Sequence, residues 1–363
     1  MRIAVLGVGL IGGSIGLAAR RRAGARVTGY DPDRATLERA LELGALDAAA
    51  GSLAEAVAGA EAVICAAPVG ALPELVASAL DATGEGTVVS DVGSTKRALV
   101  EAVAERPDGE RFIGGHPLAG AETSGVENAR AELFEGARWY LTPTGRSSGI
   151  LYDRLQRLVA ALGARPQAIP ADAHDRMMAT VSHLPHVIAN VLVERAGTML
   201  GADDRLPEVG PSFRDSTRVA GSNPAIWADI FAANREVLAA EAEGLADRLR
   251  EAARLLRSGD RDAIRAWQSA AASERRRLLE RGVAGGELRQ LRISVENRPG
   301  TVAEIALALG RAGLNIEDMA LHPAPDMRTG AISIWVAGPG DAERAAAIVR
   351  GLGHAVAVVA AGE

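Results

Sequence analysis

The chain has 363 residues, 48% apolar and 24% charged, which is ordinary material for two or three globular domains of about 150 residues each. Forty Lys plus Arg against 46 Asp plus Glu leave a net charge of −6, which argues against a broadly basic nucleic-acid-binding surface. One cysteine, Cys65, excludes an internal disulfide. No run reaches the roughly 18 apolar residues of a membrane span, and Met1 leads into a strand pattern without the features of a secretory signal, so a cytoplasmic protein is expected.

Residues 1–168 alternate short apolar runs with amphipathic segments. The predicted strands are Arg2 to Leu6, Arg26 to Tyr30, Ala62 to Ala66, Thr87 to Ser90, Arg111 to Ile113 and Arg138 to Leu141. Strands separated by helix-length stretches predict βαβ units, and hence an α/β, doubly wound parallel sheet of the Rossmann type. The first strand runs into Gly7-Val8-Gly9-Leu10-Ile11-Gly12-Gly13-Ser14, a G-x-G-x-x-G between strand and helix. Gly7 permits a tight turn, Gly9 lets backbone approach a pyrophosphate and Gly12 lets helix and strand pack closely. Leu10 and Ile11 begin the helix, whose free N–H groups face the phosphates. Asp31, at the end of the second strand, is placed to accept from ribose hydroxyls and to repel a 2′-phosphate, so NAD is expected rather than NADP. Arg34 nearby is the residue that would accommodate such a phosphate.

Ligands of an open α/β sheet sit beyond the carboxyl ends of its strands. The segments there are Ala67-Pro68-Val69-Gly70, with Pro68 expected at the cofactor, Asp91-Val92-Gly93-Ser94-Thr95-Lys96, and Gly114-Gly115-His116-Pro117-Leu118-Ala119-Gly120. An imidazole at His116 can accept a proton near neutral pH beside a nicotinamide; the plainer alternative is an ordinary loop histidine. Ser94 either orients that imidazole or the nicotinamide, or caps a helix starting near Thr95.

From Asp172 to about Arg281 the chain reads as an all-α domain, taken as residues 169–283. Ser182-His183-Leu184-Pro185-His186 sets two histidines three apart, on one face if the helix continues through Pro185. No third ligand accompanies them, so a pocket for a polar organic substrate is favoured over a metal site, with a helix-surface pair as the alternative. In Phe213-Arg214-Asp215-Ser216-Thr217-Arg218, Arg218 offers a planar clamp for a carboxylate and Asp215 holds an arginine, the alternative being surface ion pairing. Ser222-Asn223-Pro224 predicts a turn and helix start, with Trp227 in a packing role.

After the glycine-rich stretch 282–286, residues 287–363 predict a third, small domain. Its elements run strand (288–295), helix (302–312), strand (315–322), strand (331–337), helix (342–352) and strand (355–360), the βαββαβ order of a ferredoxin-like fold.

Together these motifs are specific. Gly7-x-Gly9-Leu10-Ile11-Gly12-Gly13-Ser14, Asp91-x-Gly93-Ser94-x-Lys96, His116-Pro117-x-x-Gly120, Ser182-His183-Leu184-Pro185-His186 and Asp215-x-Thr217-Arg218 resemble the prephenate dehydrogenase family of tyrosine biosynthesis over residues 2–280. The small domain, with Asn297-Arg298-Pro299-Gly300 and Gly313-Leu314-Asn315-Ile316, resembles an ACT module, which often binds amino acids. The resemblance implies NAD-dependent oxidation of the ring alcohol of prephenate, with loss of the ring carboxylate as carbon dioxide. It implies His116 as proton acceptor positioned by Ser94, Arg218 on the ring carboxylate, and Ser182, His183 and His186 at the side-chain end. Glu122 either gates the pocket or caps a turn. Position 121 is Ala where relatives carry a hydroxyl residue, which leaves prephenate or arogenate open as substrate. A homodimer through the helical domain is also implied, and so is tyrosine as an effector at the small domain, where Pro299, Gly300, Asn315 and Ile316 are the candidate residues. A non-catalytic NAD-responsive sensor is the competing reading.

Overall fold

The computed structural model describes residues 1–120, 123–200, 209–282, 288–296, 301–324 and 329–360. It divides into two compact units, Met1–Arg248 and Leu249–Glu363.

The first unit is built on a parallel sheet of β1 (Arg2–Leu6), β2 (Arg26–Tyr30), β3 (Ala48–Ala49), β4 (Ala62–Cys65) and β5 (Val88–Asp91), in the order β3-β2-β1-β4-β5. Alternate side chains of β1 feed opposite cores. Ile3 and Val5 join one apolar layer with Ile15 and Val27, while Ala4 and Leu6 join the other with Val76 and Leu80. A strand buried on both faces needs a continuous apolar run, and β1 has one. In register, Leu6 pairs with both Tyr30 and Cys65, and Cys65 with Asp91. The turns that follow these strands therefore open at one edge of the sheet.

The next segment departs from expectation. Gly109–Arg111 is a 3-10 turn, not part of a strand at Arg111 to Ile113, and an isolated parallel bridge between Val89 and Phe112 leads onward from the main sheet. The buried Arg111 guanidinium explains this: it donates to the carbonyls of Leu80 and Gly84 and to Thr83 Oγ1, which holds the chain in a turn. The strand begins three residues later, as β6 (Gly114–Pro117). It pairs antiparallel with β7 (Arg138–Thr142), which pairs parallel with β8 (Arg165–Ala168) in a separate three-stranded sheet.

Helices follow at Ala171–Met178, Leu184–Leu200, Pro211–Thr217, Pro224–Ala233 and Arg235–Ser258. Between the first two, Ala179–His183 forms one π-helical turn. Pro185 lacks an N–H and cannot continue the ordinary ladder, so the irregularity expected at this proline falls in the turn before it. Asn223 caps the helix Pro224–Ala233 by accepting from the Ala225 N–H at 3.0 Å, the helix start expected there.

The second unit holds the helix Arg261–Gly282, then β9 (Leu288–Glu296), a helix Thr301–Arg311, β10 (Asp318–Pro323), β11 (Thr329–Ala337), a helix Pro339–Gly351 and β12 (Ala355–Ala360). The four strands form an antiparallel sheet ordered β10-β11-β9-β12. Leu291, Ile293, Ile332 and Ile334 pack with Ile305 and Leu309 of one helix and Ala345 and Val349 of the other. Asn315 lies before β10 rather than in it and donates to Glu317 Oε1 at 2.8 Å, and Ile316 packs on the apolar core. Pro299 and Gly300 lie outside the described residues. No helix among the described residues is long and apolar enough to cross a membrane.

Candidate active site

At the carboxyl end of β1 the backbone turns with Gly7 at φ 93°. A Cβ on Gly7 would collide with the Ala66 carbonyl, and one on Gly12 would fall inside the Gly7 carbonyl oxygen. A Cβ on Gly9 would meet nothing within 4 Å. The turn thus presents open backbone at Gly9 to the N-terminus of the helix Leu10–Ala23, which has no side-chain cap. Leu10 and Ile11 are partly buried against the core beneath it. The Asp31 carboxylate is held by the Val8 N–H at 2.8 Å and the Asp33 N–H at 3.0 Å. It lines a cavity of about 490 Å³ with Tyr30, Pro32 and Arg34. Uncapped helix N–H groups, open backbone and a fixed acid beside a cavity fit a dinucleotide: pyrophosphate on the turn, adenosine ribose at Asp31. Pro68 is exposed at the end of β4, ahead of the 3-10 turn Val69–Ala71. The Gly70 N–H donates to Asp229 of the helix Pro224–Ala233 at 3.3 Å.

His116 sits in β6, half-buried, beside β5. A Cβ on Gly115 would press on the Asp91 backbone carbonyl, and one on Gly114 would come within 3.6 Å of the Asp91 carboxylate, so the glycines before His116 let its strand lie close against the end of β5. Asp91 accepts from the Gly115 N–H at 3.0 Å and the Gly93 N–H at 2.8 Å, and forms a wholly buried ion pair with Lys96, the only lysine in the chain. His116 Nδ1 lies 2.8 Å from His174 Nε2, and His174 Nδ1 lies 2.8 Å from Asp175 Oδ1. The Asp175 carboxylate also accepts from the backbone N–H groups of Lys96 at 2.8 Å and Arg97 at 2.9 Å, which caps the helix Arg97–Ala104.

When His174 carries a single proton, acceptor-only Asp175 places it on Nδ1 and leaves Nε2 as an acceptor. His116 must then donate from Nδ1, and its own Nε2 is left with a free lone pair. Burial, then the neighbouring His174, Lys96 and His183, lower the His116 pKa well below 6.5. The ring is therefore neutral at pH 7, as a proton acceptor must be.

His183 is buried and His186 half-buried. His186 Nδ1 contacts the Ser182 carbonyl at 3.0 Å, and its ring stacks on Trp227 with centroids 3.3 Å apart. His186, Trp227 and Arg218 line one cavity of about 410 Å³ together with Thr123, Ser124 and Asn223. Trp227 is thus a wall of the cavity as well as a packing residue. His116 is not among the residues lining it; His116 and His183 are linked instead through His174, Asp175 and Asn234, whose Nδ2 donates to the Asp175 carbonyl at 2.9 Å and lies 3.2 Å from His183 Nδ1. Asp215 is exposed, one turn before Arg218. Glu122 lies outside the described residues.

Two points depart from the sequence reading. The helix that Ser94 would cap on its plainer reading starts at Arg97, not near Thr95, with Lys96 at its cap position and the Asp175 carboxylate as its cap, while Ser94 stands half-buried just before it. The partner that holds His116 is His174, which sequence reasoning passed over with Asp175 and Asn234. The one available signal was a His-Asp pair in the first turn after Pro170.

A parallel sheet with this glycine turn, a fixed acid after β2 and a neutral histidine at the same edge defines a nucleotide-dependent dehydrogenase. The comparisons specify which kind. The family model "Prephenate dehydrogenase, nucleotide-binding domain" matches residues 15–167, and "Prephenate dehydrogenase, dimerization domain" matches residues 170–269. The chain is 30% identical over 354 residues to the prephenate dehydrogenase of Bacillus subtilis, covering 94% of each. It is 32% identical over 242 residues to the cyclohexadienyl dehydrogenase of Zymomonas mobilis, covering 65% of this chain and 82% of that one. Among solved structures, it matches prephenate dehydrogenase from Aquifex aeolicus in complex with hydroxyphenyl propionate and NAD+, with a TM-score of 0.71 and 30% identity over 76% of this chain and 97% of that one. It also matches Synechocystis arogenate dehydrogenase, with a TM-score of 0.66 and 25% identity over 77% of this chain and 100% of that one. The chain belongs to the prephenate dehydrogenase family.

Proposed function

We infer that the chain catalyses the NAD-dependent oxidative decarboxylation of prephenate to 4-hydroxyphenylpyruvate. The observation that carries this reading is the His116–His174–Asp175 chain at the carboxyl edge of the nucleotide-binding sheet, which leaves one imidazole lone pair for a hydroxyl proton.

Gly7, Gly9, Leu10, Ile11, Gly12 and Asp31 are assigned to NAD, with Pro68 and Ser94 at its nicotinamide end. Bound NAD supplies the hydride acceptor. His116 Nε2 takes the proton of the ring hydroxyl as the C–H hydride leaves, and the positive charge that develops on its ring is supported through His174 by the Asp175 carboxylate. Loss of the ring carboxylate as carbon dioxide leaves an aromatic phenolate. His116 Nε2–H returns its proton to that oxygen, so the imidazole ends the cycle neutral and no net proton is released. Arg218 is assigned to the ring carboxylate, His186, His183 and Ser182 to the side-chain end of the pocket, Asp215 to holding an arginine, and Glu122 to the pocket as a candidate contact.

The proposed division is a nucleotide-binding domain (1–168), a helical substrate and dimerisation domain (169–283) and an ACT-like regulatory domain of ferredoxin-like fold (287–363). A cytoplasmic homodimer is the proposed form. Its support is the dimerization-domain match and the βαββαβ order of the small domain. Tyrosine is the proposed effector; equilibrium binding at millimolar tyrosine should show a saturable site that survives blocking of the active site, and none if the module only dimerises. The function itself is tested by NADH absorbance with prephenate and arogenate, each with NAD and NADP. Prephenate with NAD should be fastest. A faster rate with arogenate would reassign the substrate, and no rate with any pair would favour the sensor.

A further inference from the structure

Asn234 closes the helix Pro224–Ala233, and its backbone carbonyl then accepts from the Leu238 N–H in the next helix. The side chain at this junction is wholly buried. We infer that Asn234 is a positioning residue for substrate binding: its amide fixes His183 as the Nε2–H tautomer and so presents one buried donor to an oxygen of the bound organic acid. This rests on the functional reading above and deepens it.

The argument begins at the Asp175 carbonyl. A carbonyl only accepts, so the Asn234 atom 2.9 Å from it must be the amide nitrogen, which settles the amide orientation. That same nitrogen lies 3.2 Å from His183 Nδ1. An NH₂ group has two hydrogens and no acceptor role, so Nδ1 of the imidazole must be the unprotonated nitrogen. Burial holds the ring neutral, its pKa lowered to about 4. A neutral imidazole carries one proton, and here it sits on Nε2.

Nε2 is buried and has no hydrogen-bond partner among the described residues. Its ring meets Trp227 edge-on with centroids 6.1 Å apart, and Trp227 stacks on His186 in the wall of the cavity that Arg218 lines. A buried donor left without an acceptor is rare in native proteins. His183 is not itself among the residues lining that cavity; the missing acceptor assigned to its donor is an oxygen of the ligand bound there. The clamp also ties the two histidine systems together, because the carbonyl that orients Asn234 belongs to the residue whose carboxylate orients His174.

The test is 15N-histidine NMR on the full chain, with His183 signals assigned by their loss in His183→Gln. The unsubstituted protein should show His183 Nδ1 unprotonated and Nε2 protonated. In Asn234→Asp a carboxylate replaces the donor and accepts from Nδ1, so the tautomer should switch and the KM for prephenate should rise about tenfold, with the Kd for NAD unchanged. A protonated Nδ1 in the unsubstituted chain overturns the inference whether or not any variant folds. A switched tautomer with unchanged KM overturns the link to substrate. Prephenate turnover by the unsubstituted chain is read in parallel: its absence would sink the functional reading alone, because the tautomer is measured without substrate.

Discussion

His116 Nδ1 lies 2.8 Å from His174 Nε2, with the two rings edge to face at 74°. The contact joins a strand of the nucleotide-binding portion to the first helix of the α-helical portion, and it determines which His116 nitrogen is free to take a proton. His116→Asn should lower kcat by about 10²- to 10⁴-fold, the usual worth of a general base, with NAD binding retained. His174→Asn should lower kcat by less, since it spares the base and removes only its orientation. Steady-state rates with nucleotide titrations check both, and a His174→Asn rate equal to that of the unsubstituted chain would break the relay.

The pH profile follows from the lowered His116 pKa. The reactive form is the neutral ring, which predominates above that pKa. kcat/KM should therefore be flat through neutrality and fall only well below pH 6.5, as His116 protonates. A midpoint at or above 6.5 would show a different group titrating.

His183 gives a separate prediction about stability. Its pKa is about 4 in the folded chain against about 6.5 unfolded, so the unfolded state binds more protons between those values. Its contribution is fully present above pH 6.5 and is lost as pH falls toward 4, by on the order of 3 kcal/mol. Denaturant unfolding of the unsubstituted chain and His183→Gln across pH 4 to 7 checks this, with a shallower pH slope expected in the variant.

Lys96 is the single lysine among 40 basic residues, and it is fully buried against Asp91. Removing one partner strands a charge, so Lys96→Met should cost about 3–5 kcal/mol. Lys96→Arg should not restore it, because a forked guanidinium overpacks a site shaped for a compact ammonium. Lys96→Met combined with Asp91→Asn should be more stable than Lys96→Met alone. Chemical denaturation of the three variants tests the set.

The nucleotide-binding half was legible because β1, Gly7, Gly9, Gly12 and Asp31 obey local rules of turn and strand that need no knowledge of the rest of the chain. His183 and His186 were legible as polar residues in an apolar helical stretch and Arg218 as a planar clamp for a carboxylate, and His186 and Arg218 share a cavity wall. His174 and Asn234 were not, because what marks them is partners 58 and 51 residues away in the chain. Asp175 caps a helix that starts 78 residues earlier, which is why the sequence offered only a local alternative, Ser94, for the cap. The strand expected at Arg111 to Ile113 failed for the same kind of reason: its backbone pattern was extended, but the Arg111 guanidinium binds carbonyls about 30 residues upstream.

The central claim is that one small dicarboxylate spans the imidazole at His116 and the guanidinium at Arg218. A crystal structure of the chain with NADH and prephenate, a pair that cannot exchange a hydride, measures this directly. The expected result is the ring hydroxyl oxygen within hydrogen-bond distance of His116 Nε2 and a carboxylate of the same molecule on Arg218. Prephenate bound against Arg218 with His116 walled off from it, or the reverse, would contradict the account.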